Sequence, residues 1–387
     1  MTRRIMTIVG TRPEAIKMVP VIRALRADPR FELVSIATGQ HRQMLGQVLD
    51  AFGERVDADL EVMTANQSLA DITARVLTRM MEVYRDYAPD VVLVHGDTTT
   101  AMAAGLAAFY AGVRLGHVEA GLRSGDLQRP WPEEFNRVAI DSIAEFLFAP
   151  TEGARENLLG EYNRRGRIHV TGNTGIDALR LASEMLDADP ARSAAIAARH
   201  AYLDPAKRLV LVTGHRRENF GHGFEQICDG LSAIAGERDV QVLYPVHLNP
   251  NVRTIVQDRL GGQDGIFLTE PVDYFEMVQL MRRSHLIITD SGGIQEEAPA
   301  LGKPVLVMRE TTERPEALAT GIVKLVGTDP ALMHAEARRL LTDDAAYAGM
   351  ARPVFPYGDG FAAERIRDIL ADALLEQDKA GALAQAL

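Results

Sequence analysis

Short apolar runs recur along the chain, each closing in a polar or glycine-rich turn and each followed by a helical pattern. The first series is Ile5–Val9, Leu33–Thr38, Val91–His95, Arg114–Val118, Phe146–Ala149 and Ile168–Thr171. The second is Leu209–Thr213, Val240–Val246, Ile266–Leu268, Leu286–Thr289 and Val305–Met308. Runs rich in Val, Ile and Leu that stay apolar on both faces belong to parallel strands covered on both sides by helices. The alternation predicts an α/β protein with two doubly wound domains. Between the series, the alanine-rich stretch Gly175–Ala206 is broken by "DADPARS" and "YLDPAKR", and the link belongs there. The expected domains are 1–172 and 173–360. A last amphipathic helix after "FPYGDG", within 361–387, is expected to pack back on the first domain.

Ligands of open parallel sheets sit outside the carboxyl ends of the strands. The segments that follow the apolar runs are dense in Arg, His, Asp and Glu: "GTRPEAIK", "TGQHRQ", "HGDTTT", "EAGLRSGDLQRPWPEE", "TGHRRENFG", "PVHLNPN", "DSGGIQEE" and "RETTERPEA". Ordinary connecting turns explain a few such segments but not eight. Their density predicts that both domains face one cleft.

In "SGGIQEE", Ser291 is a candidate helix N-cap, and Gly292 and Gly293 let a ligand approach the first free amides. No P-loop lysine follows, which suits a pyrophosphate better than a triphosphate. Glu297 lies one turn on, where a carboxylate can accept a ribose diol or simply sit as an exposed acid near the positive helix end. "GTRPEAIKMVPVI" has the same strand-to-helix design with Arg12 and Lys17 added, Pro13 suiting the first helical turn and Gly10 the tight turn. Lys17 also reads as a solvated helix residue. His215 and Arg216 leave a strand where phosphates would lie, and Arg314 sits before Pro315 at a loop or helix start, with a surface salt bridge as the competing reading. In the first domain, Asp97 and Glu119 each end a predicted strand, and Glu133 starts a helix after Pro130-Trp131-Pro132. Asp97 and Glu133 have ordinary helix-start roles open to them, yet three carboxylates converging on a sugar make an acid/base set.

Composition narrows the classes. A net charge of −11 disfavours nucleic acid and anionic membrane as partners. A single cysteine, Cys228, excludes an intrachain disulfide and a cysteine metal cluster. The basic start has too short an apolar run for a signal peptide, and Thr98–Val113 is too short for a membrane span, so a cytoplasmic protein is expected. "GDGFAA" at Gly358–Ala363 matches a dinucleotide pattern, but "RPVFPY" before it is no strand. His95 and Asp97 in "HGD" are the nearest approach to a metal-ligand spacing, and no metal or other cofactor is expected.

Taken jointly, "GTRPEAIKMVPV", "HGDTTTAMAAGLAAFY", "GHVEAGLRSGDLQRPWPEEFNR", "TGHRRENFG", "YPVHLNPNV" and "DSGGIQEEAPALGKPVLVMRETTERPEAL" closely resemble bacterial, non-hydrolysing UDP-N-acetylglucosamine 2-epimerases, from Met1 to about Gly360. The resemblance implies a glycosyltransferase-B-like pair of Rossmann-like domains with the active site between them, usually in a homodimer. It also implies interconversion of UDP-N-acetylglucosamine and UDP-N-acetylmannosamine for surface polysaccharide synthesis. By motif, Asp97, Glu119, Glu133 and His215 match the family's catalytic groups, while Arg12, Ser291, Gly292, Gly293, Glu297 and Arg314 match its UDP-binding positions, with Lys17 close by. Gln40, Gln43, Arg216 and His247 resemble a regulatory site for a second UDP-N-acetylglucosamine acting as activator, although Asn66 stands where some regulated members carry arginine. The rival readings are a glycosyltransferase of the same fold, a hydrolysing epimerase, an epimerase of another UDP-2-acetamido sugar and a nucleotide-sugar sensor.

Overall fold

The structure, a computed structural model, describes residues 2–39, 42–62, 67–162 and 166–386, with the side chains of 42–44 and 376–386 outside the description. The chain divides into two compact units, Met1–Leu181 with Tyr357–Leu387, and Ala182–Pro356. The division falls inside the helix Thr174–Ala188 rather than at residue 172. Side-chain bonding explains this. Asp177 accepts the Ala363 amide at 2.7 Å and Arg180 donates to the Gly360 carbonyl, so the start of the helix belongs with the C-terminal segment. Farther along, Arg282 donates to Asp187 at 2.7 Å and ties the helix end to the second unit.

In the first unit the strands are β1 (Arg3–Val9), β2 (Phe31–Ala37), β3 (Ala58–Asp59), β4 (Val91–His95), β5 (Arg114–Val118), β6 (Phe146–Ala149) and β7 (Arg167–Val170). They form one sheet in the order β3-β2-β1-β4-β5-β6-β7, every pair parallel. The second unit holds β8 (Arg208–Thr213), β9 (Val240–Pro245), β10 (Ile266–Thr269), β11 (Leu286–Thr289), β12 (Val305–Val307) and β13 (Val323–Leu325). Their order, β10-β9-β8-β11-β12-β13, is again wholly parallel. The apolar runs thus become strands nearly residue for residue. Two edge strands escape the pattern: β3 has only two residues, and in β13 Lys324 breaks the apolar run.

Central strands such as β4 are buried along their whole length, which is why they carry no polar alternation. Helices on one face of the first sheet bury Ile72, Val76, Met80 and Ala104 against Met6, Val92 and Val94. In the second unit Phe224, Ile227, Leu231 and Val256 cover Val210, Val242 and Ile288 in the same way. The C-terminal helix Ala362–Ala386 packs on Arg12–Arg26, burying Ile366, Leu370 and Leu374. Each sheet reverses its strand order once, between β1 and β4 and between β8 and β11. That switch point opens the crevice at the carboxyl ends where doubly wound sheets take ligands.

Candidate active site

At the first switch point, β1 runs through Gly10 into the helix Arg12–Arg26. Gly10 is required by crowding: an added Cβ would stand 2.5 Å from Thr100 Oγ1 and 2.8 Å from Thr38 Oγ1. Thr11 caps the helix, and Glu14 turns back to accept the Gly10 amide at 2.9 Å and the Thr11 amide at 2.6 Å. Thr98 donates to its other oxygen at 2.6 Å. Burial nonetheless pushes the Glu14 carboxyl above its usual range, against the pull of these donors. The amides nearest β1 are therefore occupied by a side chain of the same turn.

One turn on, Lys17 pairs with Glu119, the residue that follows β5, so Lys17 is not a solvated helix residue. Glu119 holds a left-handed backbone, φ 69°, a conformation non-glycine residues adopt rarely and mostly where the surroundings impose it. His95, at the end of β4, brings Nε2 within 3.7 Å of Glu119 Oε2, close enough to feel the charge but too far to hydrogen-bond. Burial drives its imidazole down to about 4, Lys17 adding to the shift and Glu119 opposing it, so His95 is neutral at ordinary pH.

Asp97 follows Gly96, a glycine at φ 65°. Its carboxylate meets Arg137 at 2.5 Å and its carbonyl accepts from Asn136 at 2.8 Å. Burial raises the Asp97 carboxyl; Arg137 pulls it back, and the nearby charges of Glu119 and Glu133 push it up again. Those couplings place the three expected carboxylates in one electrostatic cluster. Glu133 opens the helix Glu133–Ile143, half-buried. Its neighbour Glu134 turns inward to take the Ser124 and Gly125 amides at 2.9 and 3.1 Å. Adjacent glutamates thus divide between cluster and scaffold.

The second unit presents a different turn. After β11, Ser291 stands at the N-cap position of Gly292–Ala300, but its side chain makes no capping bond. A Cβ on Gly292 would lie 3.6 Å from a guanidinium nitrogen of Arg216 and 3.6 Å from one of Arg314. Two cations therefore flank the start of a helix whose dipole already favours negative charge. Carboxylates hold both: Arg314 bonds Glu296 at 2.5 Å, and Arg216 meets Glu313 at 3.2 Å. Although burial opposes it, the Glu313 carboxyl is held at about 2 by its own backbone amide and by Arg309.

His215 leaves β8 beside this turn. Its amide and that of Arg216 donate to Asp290, 2.9 and 2.8 Å to Oδ2. Its ring lies 3.3 Å from Asp290 Oδ1 and stacks on His247, centroids 5.6 Å apart. Burial lowers the His215 imidazole, partly offset by Asp290. Glu297 accepts from the Tyr274 hydroxyl at 3.0 Å.

The structure thus gathers Asp97, Glu119, Glu133 and Lys17 in the first unit. It gathers His215, Arg216, His247, Ser291, Gly292 and Arg314 in the second, with Gly293 exposed at the turn and Glu297 beyond it. Arg12 is the first residue of its helix and half-buried. Gln40 and Asn66 lie outside the described residues, as does the side chain of Gln43. Sequence reasoning missed Asp290, Glu296, Arg137 and Glu14. Each sits within four residues of a residue that was singled out, and each acts through a partner distant in sequence or through backbone amides.

Comparison with known proteins supplies the chemical context. Residues 23–371 match the family model described as UDP-N-acetylglucosamine 2-epimerase. The UDP-N-acetylglucosamine 2-epimerase of Yersinia pestis is 54% identical over 94% of this chain and 97% of its own length. That of Escherichia coli K12 is 52% identical over 95% and 98%. A crystal structure of UDP-GlcNAc 2-epimerase from Neisseria meningitidis bound to UDP-GlcNAc superposes with a TM-score of 0.89 at 44% identity, covering 95% of this chain and 100% of that one. The two helix-flanked parallel sheets are the tandem Rossmann-like, glycosyltransferase-B-like fold. Among the described residues, no helix is long and apolar enough to cross a membrane.

Proposed function

This chain belongs to the UDP-N-acetylglucosamine 2-epimerase family, and from that premise we propose how its two residue sets divide the reaction. The enzyme interconverts UDP-N-acetylglucosamine and UDP-N-acetylmannosamine, an isomerisation in nucleotide-sugar metabolism. The sugar C2 proton is not next to a ketone, so direct removal is unfavourable. Expelling UDP avoids that difficulty. The C1–O bond breaks with its electron pair going to the UDP oxygen, the C2 proton passes to a base, and a C1–C2 double bond forms. Re-addition delivers a proton to the opposite face of C2 while the UDP oxygen returns to C1. The sequence balances without a redox step.

The second unit's turn suits the leaving group: the Gly292 and Gly293 amides beside Ser291, the helix dipole and the guanidiniums of Arg216 and Arg314 oppose the charge that grows on the diphosphate. Arg12 is assigned to the same UDP moiety and Glu297 to its ribose. Asp97, Glu119 and Glu133 are assigned to proton transfer at C2, with His215 beside the diphosphate. One observation carries the reading: Asp97, held by Arg137 at 2.5 Å and by Asn136 at its carbonyl, stands in one electrostatic cluster with Glu119 and Glu133, and burial and those two charges push its carboxyl upward against Arg137. A homodimer, a cytoplasmic location and a second UDP-N-acetylglucosamine acting as activator at Gln40, Gln43, Arg216 and His247 belong to the same proposal.

The test is incubation with UDP-N-acetylglucosamine in deuterated water, followed by NMR. Deuterium is expected at C2 of both epimers, without added NAD or metal. Absence of C2 exchange rules out elimination, and free N-acetylmannosamine instead of its UDP form indicates a hydrolysing enzyme.

A further inference from the structure

Between the Asp97 turn and the Glu119 turn lies a buried ion pair that the catalytic set does not include. His117, on β5, and Asp141, on the helix Glu133–Ile143, are both wholly buried. His117 Nδ1 lies 2.6 Å from Asp141 Oδ1, and Nε2 lies 2.7 Å from the carbonyl oxygen of Gly96. Asp141 Oδ2 accepts the Gly121 amide at 3.1 Å and Arg123 at 2.6 Å. Gly96 immediately precedes Asp97, and Gly121 lies two residues beyond Glu119. One imidazole and one carboxylate therefore grip the backbone of both turns from below.

The hydrogen count at His117 follows from its partners. A carbonyl oxygen can only accept, so Nε2 must carry hydrogen. Asp141 is surrounded by donors; although burial pushes its carboxyl up, His117 and Arg123 hold it below the usual carboxylate range. An ionised carboxylate also only accepts, so Nδ1 must carry hydrogen as well. Exchanging ring nitrogens for carbons would forfeit both short bonds.

We propose that His117 is a doubly protonated, buried positioning residue which, with Asp141, sets the Asp97 turn against the Glu119 turn for proton transfer at C2. The proposal rests on the reading that Asp97 and Glu119 work on C2. Both turns need such restraint. Gly96 and Glu119 each adopt a left-handed φ, 65° and 69°, and the Gly96 amide donates across to the Val118 carbonyl at 3.0 Å. Without a donor at Nε2, the Gly96 carbonyl loses a partner holding Asp97 in place. Proton transfer is sensitive to such shifts, since about 1 Å of misplacement costs roughly 10²-fold in rate.

The experiment has two arms. In the first, the intact chain labelled with 15N-histidine is observed by NMR at neutral pH without ligand, the His117 signals being identified by their loss in His117→Gln. Both ring nitrogens are expected to carry hydrogen, and Asp141→Asn is expected to remove one of them. A bare ring nitrogen in the wild-type protein overturns the proposal. In the second, His117→Gln and Asp141→Asn are assayed for C2 exchange, UDP binding and thermal unfolding. Folded variants are expected to lose kcat by roughly 10²-fold, with KM and the UDP Kd within about threefold and the double variant no worse than the single ones. Unchanged kcat in a folded variant, or a parallel loss of UDP binding, overturns the positioning role. If the wild type shows no C2 exchange, the proposed reaction fails, whereas the nitrogen state is read without any substrate.

Discussion

Both units launch a helix from a central strand, and they finish that turn in opposite ways. After β1, the Thr11–Glu14 capping box consumes the amides nearest the strand, and the carboxylate that does so is buried. After β11, Ser291 makes no side-chain cap, and Gly292 lies beneath two guanidiniums. A helix start filled by its own carboxylate cannot receive an anion, whereas an uncapped one flanked by cations is built for it. Three acids at or beside the two turns show the same contrast. Burial pushes Glu14 and Asp97 up in the first unit, while cations and a backbone amide hold Glu313 at about 2 in the second. On the proposed reading, equivalent sheets carry unlike chemistry: proton transfer in one, charge neutralisation in the other.

Removing a proton carrier is the harshest way to try that division. Asp97→Asn is expected to slow C2 exchange by roughly 10³-fold, within the range for a lost general acid/base group. UDP affinity, which the proposal assigns to the second unit together with Arg12, should stay within about threefold. A comparable loss of UDP binding, measured by calorimetry, would show that the two roles are not separable.

The second break copies one turn onto the other. Ser291→Asp places an acidic cap where the first unit has its Thr11–Glu14 box. A carboxylate at an N-cap favours the helix, so thermal stability should not fall. It also puts negative charge where the diphosphate is proposed to sit, and UDP affinity should drop at least about tenfold, close to 1.4 kcal/mol. An unchanged affinity would mean that the Gly292 amides are not the anion site.

How far this division was legible in the sequence depends on the range of each contact. The strands were legible because a fully buried parallel strand leaves an uninterrupted apolar run, as in Val91–His95; β3 and β13 were not, being edge strands too short or too mixed to leave one. Asp97, Glu119 and His215 were legible as chemistry-bearing residues placed just past a strand. The pairings were not. "GTRPE" and "DSGGI" look alike on paper, and only coordinates show Glu14 folding back in one while Gly292 stays uncapped in the other. Lys17 reads as an ordinary helix lysine until β5 brings Glu119 to it. His117 is hidden inside an apolar run, and its partner Asp141 is 24 residues away.

The smallest expected effect on turnover comes from a control on the raised acids. Asp177, on the helix Thr174–Ala188, is buried in the first unit against the start of the C-terminal helix, and burial raises its carboxyl to about 6. The Ala363 and Ala362 amides and Arg180 pull it down, and Glu364 pushes it up. The sign of its contribution follows from linkage. The folded state holds this proton more tightly than the unfolded chain, so the group favours folding at low pH. That contribution is lost as pH rises toward about 6. Asp177→Asn keeps an acceptor for Ala363 and never ionises. It should therefore exceed the wild type in stability by about 3 kcal/mol well above pH 6, with the gap closing below pH 4. Thermal unfolding of both proteins across that range measures the gap, and a gap independent of pH would deny the shift. Turnover and its pH profile should not change, because Asp177 bonds the Ala363 amide and is not among the charges that act on Asp97. Burial then raises a carboxyl in this unit where its partners do not outweigh it, as they do at Asp141, and Asp97 differs in where it stands: beside Glu119 and Glu133, where the same shift is expected to appear in the rate.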